Sequence, residues 1–216
     1  MKPRIKICCI SSVEEARTAI EFGASALGLV GNMPSGPGVI PDELILKIAR
    51  TVPPPIGTFL LTSETSTEGI IAHHHRTHTN TIQIVDELEI GTYVDFRTKL
   101  PSIKIVQVVH VLDENSVDNA LRISEHVDTL LLDSGKPNLR IKQLGGTGRV
   151  HNWTLSRKIV GQSKVPVFLA GGLNSENVKE AMDRVQPFGL DVCSGVRTNK
   201  KLDSKKLEAF FKAAWD

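Results

Sequence analysis

Eight short apolar runs, rich in Val, Ile and Leu, alternate with helix-like segments along the whole chain. The runs cover residues 4–10, 26–31, 56–62, 81–86, 104–111, 129–134, 165–171 and 189–194. Nearly continuous apolarity in runs this short is typical of strands buried on both faces, as in a parallel sheet. Eight strands alternating with roughly eight helices leave two architectures, a doubly wound open sheet and a closed barrel. Because 216 residues hold eight such units, we predict a single-domain α/β fold, a (β/α)8 TIM barrel spanning residues 1–216.

Helix starts are marked by capping residues and acidic first turns. Ser12 followed by Glu14 and Glu15 predicts one helix, and Pro41 before Asp42 predicts another. Further helices are expected near residues 65–76 and 88–98, from a cap at Asn115, from a cap at Asn174, and from Asp203 or Ser204.

Charge and composition exclude several classes of protein. The 26 basic and 24 acidic residues nearly balance, so nothing indicates a nucleic-acid partner. No run approaches the ~20 apolar residues that span a bilayer, and no apolar stretch follows the N-terminal charges. We therefore expect a cytoplasmic protein without a membrane partner, either a monomer or a homodimer. Cys8, Cys9 and Cys193 are few and odd in number, which favours reduced thiols.

Glycine-rich segments follow three of the predicted strands. In a parallel barrel, the groups that act on a ligand lie at the carboxyl ends of the strands. Glycine lets main-chain N–H groups approach an anion, and a helix start adds a favourable dipole. Each glycine pair taken alone is better explained by a tight turn, but three on one face favour a phosphate site. The predicted phosphate ligands of a phosphorylated small-molecule substrate are Gly146, Thr147, Gly148, Gly171, Gly172, Ser194 and Gly195.

Cys8 ends the first predicted strand, and Asp133 ends the sixth. A thiolate can remove a proton from carbon, and a carboxylic acid can donate one. The first and sixth strands lie on opposite sides of a small barrel mouth, so a sugar could lie between these two side chains. Each residue also has a commoner structural explanation, Cys8 as a small buried apolar residue and Asp133 as a loop cap.

The histidine-rich segment around residues 73–78 raises a possible metal site. His74 and His78 have the i, i+4 spacing that places two ligands on one helix face. A catalytic metal needs three convergent protein ligands, and no third acidic or cysteine partner lies nearby in sequence. We therefore predict no metal.

Taken together, these motifs resemble those of the phosphoribosylanthranilate isomerase family. Residues 6–11 stand where the family has Lys-Ile-Cys-Gly-Ile-Thr, with Cys9 in the place of the glycine. The strand-eight motif of the family is matched by residues 191–196, with Cys193 in the place of a serine. Further matches are Leu-Leu-Asp at 131–133, Gly-Gly-Thr-Gly at 145–148 and Ala-Gly-Gly-Leu-Asn at 170–174.

The resemblance implies a (β/α)8 barrel that catalyses an Amadori rearrangement in tryptophan biosynthesis, without metal or cofactor. The substrate of the family is N-(5'-phosphoribosyl)anthranilate. By resemblance, Asp133 would be the general acid that opens the furanose ring. Cys8 would be the general base that removes the C2' proton, and the glycine loops with Ser194 would hold the phosphate.

Three departures concern recognition of the anthranilate carboxylate. The family's arginine after strand two is absent from residues 34–38, its strand-four histidine is replaced, and its glutamate after strand eight is Arg197. Arg197 is therefore the candidate partner of the substrate carboxylate. A divergent isomerase of another phosphorylated sugar amine remains an alternative. A phosphate-binding protein without turnover is a second one, against which the presence of both Cys8 and Asp133 argues.

Overall fold

The computed structural model describes residues 2–135 and 150–216, and eight parallel strands form its centre. The strands are Arg4–Ile7 (β1), Ala26–Val30 (β2), Gly57–Thr62 (β3), Thr81–Ile84 (β4), Lys104–His110 (β5), Thr129–Asp133 (β6), Val167–Leu169 (β7) and Gly189–Val192 (β8). They pair in chain order, and β8 pairs with β1 from Arg4 opposite Gly189 to Ile7 opposite Val192. This last pairing closes the sheet, so the predicted (β/α)8 barrel is confirmed and the open sheet is excluded.

In the part of the chain that the structure describes, eight α-helices surround the barrel. They are Val13–Glu21 (α1), Asp42–Thr51 (α2), Thr67–Thr77 (α3), Tyr93–Lys99 (α4), Asn115–Ser124 (α5), Trp153–Gln162 (α6), Val178–Val185 (α7) and Ser204–Trp215 (α8). Side-chain caps begin α3 and α4, the helices expected near residues 65–76 and 88–98. The Ser66 hydroxyl accepts a hydrogen bond from the N–H of Gly69 at the start of α3, and Thr92 and Asp95 form a capping box in α4.

Two predicted helix caps are wrong. Asn115 is the first residue of α5, and Glu114 occupies the cap position before it. Asn174 does not cap α7, which begins at Val178 after Asn177. The Asn174 side chain instead accepts hydrogen bonds from the N–H groups of residues 176 and 177, at 2.8 and 3.2 Å. Asparagine stabilises such a turn as readily as a helix start, so the sequence alone does not distinguish the two.

The strands separate two apolar clusters, because side chains alternate across a strand. Ile5 and Ile7 of β1 face outwards and pack with the helices in the larger cluster. Cys8 belongs to the smaller cluster inside the barrel, with residues such as Leu61 and Phe168. The same alternation places polar side chains of the strands inside the barrel, below its carboxyl-terminal mouth. Within residues 2–135 and 150–216, no helix is long and apolar enough to cross a membrane.

Candidate active site

A cavity lies at the carboxyl-terminal mouth of the barrel, where the predicted site residues meet. It is lined by Cys8 from β1's end, Asp133 from β6's end, Gly171 and Gly172 after β7, and Ser194 after β8. The structure therefore brings the predicted base and acid together with part of the predicted phosphate site. Gly146, Thr147 and Gly148 lie outside the described residues.

A buried ion pair lies next to Cys8. The Lys6 ammonium is 2.7 Å from the Asp191 carboxylate, and Lys6 is completely buried. A Cβ atom built on Gly28 would lie 2.8 Å from the Cys8 sulfur and 3.0 Å from Lys6 Nζ, so thiol and ammonium share this small space. Burial by itself lowers the pKa of Lys6, but Asp191 and then Cys8 raise that pKa above its ordinary value. Lys6 therefore remains a cation inside the barrel.

Sequence reasoning missed Lys6 and Asp191. Each is a charged residue among the otherwise apolar buried residues of its strand, and Lys6 stands two residues before Cys8, on the same strand face. Those two signals could have identified Lys6 as an interior residue. Its partner could not be identified in this way, because Lys6 meets Asp191 through the β1–β8 pairing that closes the barrel.

The surroundings of Asp133 favour the protonated form of its carboxyl group. Its side chain is buried, and Oδ1 accepts a hydrogen bond of 2.7 Å from the N–H of Ser134. Burial raises the pKa of Asp133, while this N–H and the nearby His110 act in the opposite direction. The net pKa lies above the ordinary value, so Asp133 keeps its proton to higher pH than an exposed aspartate would.

The loops after β7 and β8 form one side of the cavity. Gly171 and Gly172 have φ angles of 86° and 65°, in the left-handed region that favours glycine. A Cβ atom on Gly195 would overlap the carbonyl oxygen of Leu173, so this glycine lets the two loops pack backbone to backbone. Unlike Ser194, Gly195 is absent from the described lining of the cavity. Gly195 thus shapes the loop, and phosphate contact by Gly171, Gly172 and Ser194 stays a prediction.

The structure gives Arg197 protein partners, and its contact with a substrate carboxylate stays a prediction. Arg197 is buried outside the described cavity lining, and its guanidinium forms an ion pair with Glu15 at 3.1 Å. Nη2 also donates hydrogen bonds to the carbonyl oxygens of Cys8 and Cys9. Through these contacts the guanidinium fixes the main chain at Cys8 and Cys9, which follow β1. The sequence could not show this because Arg197 and Glu15 are 182 positions apart.

The histidines of α3 have structural partners. The His73 ring bonds Thr62 at 2.9 Å and Asp42 at 3.1 Å, and His74 Nε2 bonds the carbonyl oxygen of Thr79 at 2.8 Å. Within the described part of the chain, no group of three or more His, Cys, Asp or Glu residues is arranged to hold a metal ion. His73 and His74 are thus part of the helix–barrel packing.

Comparisons with known proteins agree with this geometry. A family model described as N-(5'phosphoribosyl)anthranilate (PRA) isomerase matches residues 5–213. The N-(5'-phosphoribosyl)anthranilate isomerase 2 of Methanosarcina mazei is 37% identical over 195 residues, which is 90% of this chain and 85% of that protein. The phosphoribosyl anthranilate isomerase structure from Thermotoga maritima superposes with a TM-score of 0.80, at 29% identity over 98% of both chains.

A further isomerase structure of the same name contains a ligand. It was solved in complex with reduced 1-(o-carboxyphenylamino)-1-deoxyribulose 5-phosphate, and it matches with a TM-score of 0.75 and 27% identity over 98% of both chains. The matches cover nearly the whole chain, and they confirm the resemblance that the sequence motifs indicate. The chain therefore belongs to the N-(5'-phosphoribosyl)anthranilate isomerase family, the aldose–ketose isomerases of tryptophan biosynthesis.

Proposed function

We propose that this chain converts N-(5'-phosphoribosyl)anthranilate to the open-chain deoxyribulose phosphate, with Asp133 as general acid and Cys8 as general base. Family membership supports the reaction. The observation that carries the residue assignment is that both side chains line one cavity, whose rim also contains Gly171, Gly172 and Ser194. This arrangement supports an acid and a base on either side of the cavity, next to a glycine loop that would bind the phosphate.

The first step opens the sugar ring. Protonated Asp133 gives its proton to the furanose oxygen while the bond from that oxygen to C1' breaks, and the nitrogen lone pair forms a double bond to C1'. The raised pKa of Asp133 supports this role, because a carboxyl group must still hold its proton near neutral pH to act as an acid.

The second step moves a proton from carbon. The Cys8 thiolate removes the C2' proton, which converts the protonated Schiff base to an enolamine. The enolamine gains a proton at C1' and loses one from the 2' oxygen, so the product has the same atoms as the substrate. The Lys6 ammonium lies close to the Cys8 sulfur and attracts the negative charge that this sulfur carries as a base.

The phosphate anchors the substrate away from the reacting carbons. Binding energy from such a remote group positions C1' and C2' between acid and base. Gly172→Ala places a methyl group on a residue with φ of 65°, which strains the loop. We expect this variant to raise KM for the substrate at least about tenfold, and inorganic phosphate to inhibit the wild type competitively. Competitive inhibition that is equally strong in the variant would contradict the assignment.

Recognition of the aromatic carboxylate differs from the family pattern. Among the described residues that line the cavity there is no arginine or lysine. Such a lining lacks the two parallel, charge-assisted hydrogen bonds that a guanidinium gives a carboxylate. This observation favours a second candidate, a phosphorylated sugar amine without a carboxylate. Measuring kcat/KM for N-(5'-phosphoribosyl)anthranilate and for the matching aniline compound distinguishes the two, because the first proposal requires a clear preference for the carboxylate.

Two substitutions with matched controls test the acid and the base. We expect Asp133→Asn and Cys8→Ser each to lower kcat by roughly 10²–10⁴-fold, the usual contribution of a general acid or base. Asp86→Asn changes a buried aspartate beyond the end of β4, and Cys193→Ser changes another cysteine of the cavity lining. Both controls should stay within tenfold of the wild-type kcat. If Asp133→Asn or Cys8→Ser does so as well, the corresponding role is wrong.

The remaining sequence-level predictions stay part of this proposal. We propose that residues 1–216 form one domain, and that it acts in the cytoplasm as a monomer or a homodimer without nucleic-acid or membrane partners. The near balance of charges supports the absence of a nucleic-acid partner. Light scattering after size exclusion measures the oligomeric state, and fractionation of the cells measures the location.

A further inference from the structure

Two thiols that the proposed mechanism does not use meet beside the cavity. Cys9 follows Cys8 after β1, and Cys193 follows β8 directly. Their sulfur atoms are 2.7 Å apart although the residues are 184 positions apart in sequence. The contact arises because β8 pairs with β1, and Ile7 lies opposite Val192 at the ends of these strands. Both side chains belong to the cavity lining.

Cysteine is an unexpected residue at position 9. Its φ angle is 62°, in the left-handed region where side chains other than glycine are disfavoured by roughly 1–2 kcal/mol. The family motif has glycine at this position and serine at position 193. The two cysteines thus depart together from the pattern that the chain otherwise matches, and the fold places them in contact.

We propose that Cys9 and Cys193 form a reversible intramolecular disulfide that leaves the Cys8 thiol free. In a disulfide the sulfur atoms are about 2.04 Å apart, so closing the bond from the observed contact requires only a small approach. The Cys8 thiol lies against Gly28, and it also interacts with the Cys9 thiol. Neighbouring cysteines such as Cys8 and Cys9 nevertheless rarely pair, because the geometry is strained.

The oxidant in this proposal is a low-molecular-weight disulfide such as oxidised glutathione. The Cys193 thiolate attacks one sulfur of that disulfide and releases the first small thiolate. The Cys9 thiolate then attacks the Cys193 sulfur of the mixed disulfide and releases the second. The two protein thiols lose two electrons, the small disulfide gains them, and the two thiol protons pass to the released thiolates.

Exposure and charge determine which cysteine reacts first. Cys9 is buried, and its sulfur also lies 3.6 Å from the carbonyl oxygen of Pro37 in the loop after β2. Cys193 is half-buried and therefore easier to reach. The hydrogen bond from Cys9 lowers the pKa of Cys193, and the Arg197 charge adds to this effect, while the pKa of Cys9 is raised. Cys193 is thus the attacking thiolate, and Cys9 resolves the mixed disulfide.

Incubating the folded, fully reduced protein with oxidised glutathione tests the proposal. A maleimide then caps the remaining thiols, and intact mass and peptide mapping locate the modifications. We expect a protein that lacks two hydrogen atoms, carries one maleimide, on Cys8, and contains a Cys9–Cys193 cross-linked peptide. Dithiothreitol should restore all three thiols, and the oxidised protein should melt at least about 5 °C higher than the reduced protein.

Variants show which thiols are required. The Cys8→Ser variant should still form the Cys9–Cys193 cross-link and take up no maleimide. The Cys193→Ser variant should form no cross-link, so its two remaining thiols, Cys8 and Cys9, should both take up maleimide. A lasting glutathione adduct on Cys193, a disulfide that includes Cys8, or three thiols remaining in the oxidised wild type would each overturn the proposal. The peptide map of the wild type distinguishes these outcomes even if a variant fails to fold. The outcome does not depend on turnover, so it is separate from the test of the proposed function.

Discussion

Replacing Lys6 by methionine tests the importance of the buried ion pair. Methionine keeps the unbranched shape of the lysine side chain but removes its charge. It leaves the buried Asp191 carboxylate without the ammonium that lies 2.7 Å away. Breaking a buried pair by removing one partner typically costs about 3–5 kcal/mol, because the remaining charge is uncompensated.

The structure places the expected cost near the lower end of that range. Asp191 lines the cavity, so some water reaches the carboxylate that remains. The loss of the cation–π contact of Lys6 with Phe59, at 5.4 Å, adds a smaller contribution. We therefore expect Lys6→Met to lower the free energy of unfolding by about 3 kcal/mol, or roughly a hundredfold in the unfolding equilibrium.

Urea unfolding at neutral pH, followed by circular dichroism, measures this change. Lys158→Met is the matched control, since Lys158 forms an ion pair with Glu114 at the same distance of 2.7 Å but on the exposed surface. We expect that variant to unfold close to the wild type, because exposed pairs contribute little. The double variant Lys6→Met/Asp191→Leu should regain at least half of the lost stability. Equal effects of Lys6→Met and Lys158→Met would refute the reasoning.

Three further predictions concern the rim of the cavity and its surroundings. Burial lowers the pKa of His151 from 6.5 to about 4, so this group contributes stability above pH 6.5 that is lost as the pH falls towards 4. His151→Asn should therefore reduce the fall in Tm over that range, as scanning calorimetry measures. Gly195→Ala pushes a methyl group against the Leu173 carbonyl oxygen, and steady-state kinetics should show KM rising about tenfold or more while the fold is kept. Arg197→Met removes the buried partner of Glu15 and should cost about 3 kcal/mol in urea unfolding, without a selective loss of affinity for substrates that carry a carboxylate.

The local pattern of the sequence favoured a closed barrel over an open sheet, the family resemblance implied the same fold, and the pattern indicated the position of the active face. Each strand is defined by a short apolar run, and in a parallel sheet every strand ends on the same side. Cys8 and Asp133 each stand at the end of such a run, so they must lie near the same mouth once the sheet closes. The glycines at 171 and 172 are predictable for the same reason, because they follow the seventh run directly.

Contacts across the closure of the barrel were decided by tertiary structure alone. Lys6 meets Asp191, Cys9 meets Cys193, and Arg197 reaches back to the chain after β1. In sequence, the partners in each pair are more than 180 positions apart. No periodicity or motif links such distant residues, since their proximity comes from the pairing of the last strand with the first. The partners of Arg197 were not predictable for the same reason: its charge is visible in the sequence, but the contacts of its side chain depend on how the closed barrel packs around it.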